Sequence, residues 1–140
     1  MEKTEKVRIE ELSVGDWVQD RKGNTAQIIG IELWSDAYEV NVRINGVDVG
    51  LVSASSCYPV PITPEILEKN GLMRVTEEED YEAYCCNDFL IRRSKFSCTD
   101  WWQVDVHYKQ YVAHLSGYIQ YVHQLQHLLT INECDKKIEL

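Results

Sequence analysis

His123 and His127 lie four residues apart in the stretch YIQYVHQLQHLL, residues 118–129. On one turn of a helix, two imidazoles at that spacing can grip a metal ion. A durable site needs a third and usually a fourth ligand. At three or four residues from either histidine there is no cysteine and no carboxylate. Only Gln120 and Gln124 stand nearby, and His107 and His114 are too far along the chain to assign. No metal and no cofactor are expected. The pair reads instead as a polar helix face, with His123, Gln124 and His127 available to a partner.

Three other groups carry chemistry-bearing side chains. Arg92, Arg93 and Lys95 in FLIRRSK form the densest basic cluster. On a strand, Arg93 and Lys95 share one face while Arg92 points the other way. A small phosphate or nucleic-acid contact is the functional reading of these three. Trp101 and Trp102 are adjacent, so strand alternation sends one inward and one outward. The outward one suits a partner contact, because Trp is enriched at interface hot spots. Cys85 and Cys86 are vicinal and face opposite sides of a strand, which suits packed thiols rather than a strained disulfide. No Ser-His-Asp spacing, Gly-rich phosphate loop, HExxH or paired catalytic carboxylate occurs, so no catalytic residue is assigned.

The elements that must position these groups fall into two halves. With 44% hydrophobic residues, the 140-residue chain can fill one ordinary core or two small ones. The expected division is 1–61 and 62–140. In the first, DWVQD and TAQIIGIEL read as strands around the turn RKGN, with Gly30 placed for a bulge. YEVNVRI and VDVGLVS alternate on either side of Asn45-Gly46, the dipeptide of a type I′ hairpin. With a two-residue loop and no bulge, Val40, Val42, Ile44, Val47, Val49 and Leu51 fall on one buried face. Curling these short strands would remove exposed edges. The expectation is an SH3-like β-barrel followed by an α+β domain: helix, antiparallel β-meander, C-terminal helix.

In the second half, Thr63 caps a short helix, with Pro64 at its first position, Glu65 in its first turn and Gly71 ending it. YEAYCC and FLIRRSK form a hairpin around Asn87-Asp88, WWQVDVHYK adds a strand, and YVAHLSG runs extended to Gly117. The acidic run Glu77–Asp80 reads as a solvated loop. A helix over 118–130 would place Tyr118, Tyr121, Val122, Leu128 and Leu129 within about 60° of Leu125, with Gln120, His123 and His127 opposite.

Charge and composition exclude some classes. The net charge is −9, with 14 basic and 23 acidic residues shared between both halves, so neither half carries the basic footprint of a phosphate binder. The start MEKTEKVRIEEL lacks an apolar h-region, and no apolar run approaches bilayer length. Five cysteines without a C-x-x-C suit reduced thiols, and a cytoplasmic location is expected.

Two resemblances accompany these readings. VGDWV followed by QIIGI resembles the opening of SH3-like barrels, over residues 12–58. LSVGDWV (12–18), PVPITPEILEKNGL (59–72) and YVHQLQHLL (121–129) together resemble a family of small, functionally uncharacterised proteins from Bacteroidetes genomes, many in phage or other mobile elements. Leu72 stands where that family often has an aromatic. The resemblance implies a bacterial, mobile-element context and supplies no catalytic residues. The leading expectation is a non-enzymatic interaction module that binds a protein partner or associates with itself. The alternative is a nucleic-acid-binding accessory protein using barrel loops and the Arg92–Lys95 strand; an enzyme with a divergent site is the third reading.

Overall fold

A computed structural model describes residues 11–34, 37–76, 79–87, 89–96, 101–108, 111–131 and 136–140. The chain divides into two compact units, residues 1–61 and 62–140. Cys98, Cys134, Asp88, Glu77 and Glu78 lie outside the described residues, as do the side chains of Val106, His107 and His114.

The first unit is an antiparallel sheet of β1 (Trp17–Gln19), β2 (Thr25–Trp34), β3 (Ala37–Ile44), β4 (Val47–Ser53) and β5 (Tyr58–Pro59). The order is β4-β3-β2-β1-β5. Leu12, Val18, Ala26, Ile28, Val40, Val42 and Cys57 form its core. The register of β2 against β3 shifts between Ile28 and Gly30, a bulge at the expected place. The SH3-like barrel does not form. β4 and β5 are the two edges, and no ladder joins them. A cause is written in the exit segment. Pro59 and Pro61 have no N–H to donate, and β5 is two residues long, so it pairs with β1 alone.

The β3–β4 hairpin turns at Asn45 and Gly46, with φ of 52° and 79°, as a type I′ turn requires. Its register departs from the expected one. Ile44 faces Val47, but Val42 faces Gly50 and Val40 faces Val52. Val49 is the extra residue of a bulge, beside Gly50 at φ +95°. The slip moves every later side chain of β4 to the other face. Val40 and Val42 are buried, whereas Val47, Val49 and Leu51 are exposed. The single six-residue apolar face is therefore split. A Cβ at Gly46 would meet nothing within 4 Å. Gly46→Val should still cost about 1–3 kcal/mol, from the positive φ alone, as measured by urea unfolding.

The second unit contains α1 (Pro64–Lys69), β6 (Met73–Arg74), β7 (Tyr81–Cys85), β8 (Phe89–Ser94), β9 (Trp102–Tyr108), β10 (Tyr111–Ile119) and α2 (Val122–Ile131). Its sheet is a plain meander in the order β10-β9-β8-β7-β6. Thr63 Oγ1 accepts the Ile66 N–H at 3.3 Å, and Gly71 leaves α1 at φ +82°. Tyr84, Phe89, Ile91, Trp102, Val104 and Ile119 are buried from the sheet; Leu67, Val122, Leu125 and Leu129 are buried from the helices. No helix of the described residues is long and apolar enough to cross a membrane.

The closing helix begins later than expected. Residues 118 and 119 end β10, and α2 starts at Val122. Gln124 fixes that start, because its Oε1 accepts the N–H groups of Gln120 at 2.8 Å and Tyr121 at 3.1 Å. This is the return half of a capping box. Tyr118 is consequently 66% exposed on a strand and not part of a helical stripe. His123 is corrected too: it is buried, at 2% exposure, and not on an outward face.

Candidate functional site

Strand alternation gives the second sheet two faces. One holds Tyr84, Ile91, Val104 and Trp102 and is the core face. The register aligns the other across the strands. Tyr118 on β10 faces Gln103 on β9, Gln103 faces Arg92 on β8, and Arg92 faces Ala83 on β7. Two residues along β7, Tyr81 faces Ser94. In the opposite direction Asp105 faces Leu90, Leu90 faces Cys85, and Cys85 faces Met73 on β6. Trp101 stands just before β9 and shares its parity with Gln103. Continuing the pairing of Trp102 with Ile119 by one residue would make it a diagonal neighbour of Tyr118.

This second face is open at its margins, while Ala83 and Asp105 on it are buried. Trp101 is 42% exposed, Tyr118 66% and Met73 73%. Between them lie half-buried Arg92, Tyr81 and Gln103. The Arg92 guanidinium lies over the Tyr81 ring, 4.6 Å from its centroid. Its Nε is buried and has no hydrogen-bond partner among the described residues. The face thus offers two free aromatic surfaces beside an arginine already seated on a third.

The tryptophan pair divides as alternation requires: Trp102 is fully buried and Trp101 faces out. The basic cluster is dispersed. Arg93 Nε donates to Glu82 Oε2 at 2.8 Å, and its guanidinium covers the Trp102 ring at 4.4 Å. Arg92 is on the open face, and Lys95 is exposed just past β8. His123, Gln124 and His127 are not brought to the open sheet face by strand register; they lie on α2. His123 stacks on Tyr121 with centroids 6.0 Å apart and meets His127 edge-on at 5.8 Å. The described residues contain no group of three His, Cys, Asp or Glu able to hold a metal ion. Cys57 is buried, and desolvation pushes its thiol above the ordinary value, which keeps it protonated and poorly nucleophilic. Cys85 and Cys86 are both half-buried and reduced.

Tyr118, Tyr81, Gln103 and Met73 are not among the site residues expected from sequence. The usable signal was alternation through 111–119, which Gly117 obscured by resembling a stop. In the first unit, a shallow cleft of about 250 Å³ is lined by Gln19, Asp20, Arg21, Gly23 and Tyr58. Its one carboxylate is spent on the turn. Asp20 accepts from the N–H groups of Lys22 and Asn24 and from Asn24 Nδ2, and those bonds, that of the Asn24 side chain foremost, hold its pKa below the usual value.

No family model, curated protein or solved structure matches this chain.

Proposed function

We propose that the second unit is a non-enzymatic interaction module whose open sheet face docks a basic, arginine-bearing segment of a partner protein. The observation that carries this reading is the exposure of Trp101 and Tyr118 at the end of the sheet where Gln103 pairs with Tyr118 and Trp102 with Ile119. Large aromatics supply contact area at small entropic cost, and the flat face of each attracts a guanidinium. The sheet already uses that contact twice internally, Arg92 on Tyr81 and Arg93 on Trp102. A net charge of −9 steers cationic segments toward the chain.

The same field works against the nucleic-acid reading. Of its three basic residues, Arg93 is paired with Glu82 and Arg92 is laid on Tyr81. Anisotropy with labelled probes at physiological salt tests both readings. An arginine-rich peptide should bind, and Trp101→Ala with Tyr118→Ala should weaken it at least tenfold. A single-stranded oligonucleotide should not bind. Salt-sensitive oligonucleotide binding lost on Arg92→Ala would reverse the choice.

A further inference from the structure

We propose that the C-terminal end of α1, around Asn70, is a peptide-recognition site for an extended segment with one buried aliphatic anchor, occupied in this chain by residues 136–140. Asn70 is the reader, and it is only 8% exposed. Its Oδ1 accepts the Glu139 N–H at 2.7 Å, and its Nδ2 donates to the Glu139 carbonyl at 2.9 Å. One side-chain amide therefore satisfies both main-chain groups of one residue, as a neighbouring strand would. The amide is oriented by α1 itself. Nδ2 also donates to the Ile66 carbonyl at 2.8 Å, and the Asn70 N–H bonds the Ile66 and Leu67 carbonyls.

Recognition through the main chain is indifferent to the side chain at 139, and that of Glu139 is exposed. Selectivity falls on the preceding position. Ile138 is 2% exposed, between exposed Lys137 and Glu139. Lys136 runs beside Gly71, where an added Cβ would lie 3.5 Å from its Nζ. The ligand class is an extended peptide with an aliphatic residue one position before the residue that Asn70 holds. Attachment to the same chain gives the built-in segment an effective concentration on the order of mM. A free segment of the same chemistry competes only when the internal anchor is weakened. The proposal does not rest on the function proposed for the open sheet face.

Anisotropy with a fluorescein-labelled Lys-Lys-Ile-Glu-Leu peptide and the full chain tests the site. Ile138→Asp should expel the internal segment and raise affinity for the peptide at least tenfold over the unsubstituted chain. Adding Asn70→Ala should abolish binding, as should Asp in place of Ile in the peptide. Amide hydrogen exchange on the unsubstituted chain gives an independent reading. The Glu139 amide should be protected, and should exchange at least tenfold faster in Asn70→Ala. Failure of folded Ile138→Asp chain to bind the peptide, equal binding by both chains, or exchange of the Glu139 amide at the free-peptide rate would overturn the proposal.

Discussion

Trp102→Ala should lower the free energy of unfolding by about 3–5 kcal/mol, while Trp101→Ala should shift it by no more than about 0.5 kcal/mol. The two residues are identical and adjacent, so the contrast isolates environment. Trp102 is fully buried, with Tyr84 6.4 Å away and the Arg93 guanidinium on its face. Its removal opens a cavity that a sheet held on both sides by β8 and β10 cannot close. It also strips the aromatic partner from Arg93. The indole N–H is buried without an acceptor among the described residues, which offsets part of the loss and points to the lower half of the range. Trp101 leaves little behind when removed, because nearly half of it faces solvent. Its loss should instead be felt in binding. Urea titration of both variants, read by far-UV circular dichroism, checks the pair.

Leu125→Ala should cost about 2–5 kcal/mol, and His127→Ala no more than about 0.5 kcal/mol. Leu125 is 1% exposed at the centre of the buried side of α2, between Val122 and Leu129. His127 is half-buried one turn past His123. His123→Ala belongs between them, at about 0.5–3 kcal/mol, because the ring is enclosed and stacked on Tyr121. An outward His123 would make both histidine changes equally mild. Separate thermal melts of the three single variants distinguish the arrangements.

Local chemistry was the legible part of this sequence. Thr63-Pro64 and Gly71 bound α1, and Asn45-Gly46 makes its turn, since caps and primed turns depend on a few adjacent residues. What failed depended on one residue's worth of register or on distant pairing. Gly50 at positive φ absorbs Val49 as a bulge and inverts the outer half of β4, a slip that alternation cannot reveal. Barrel closure turned on whether β5 could pair on both sides, and the proline pair limits it. In the candidate site, the in-and-out split of Trp101 and Trp102 followed from alternation, although not which was which. The spacing of Tyr118 from Leu125 fits 3.6 residues per turn and so predicts a helix at Tyr118. Gln124 overrules that spacing by capping the helix at Tyr121.

If Trp101 and Tyr118 form a seat for arginine, guanidinium against ammonium is the direct comparison. Arginine and lysine carry the same charge, but only arginine stacks its planar group on an aromatic face. The measurement is a ¹H–¹⁵N NMR titration of the full chain with hexa-arginine and hexa-lysine at equal ionic strength. Hexa-arginine should bind at least tenfold more tightly, shift the Trp101 indole signal and leave that of Trp102 in place, and Trp101→Ala should erase its advantage. Equal affinity for the two peptides, or shifts that bypass Trp101 and follow exposed carboxylates alone, would contradict it.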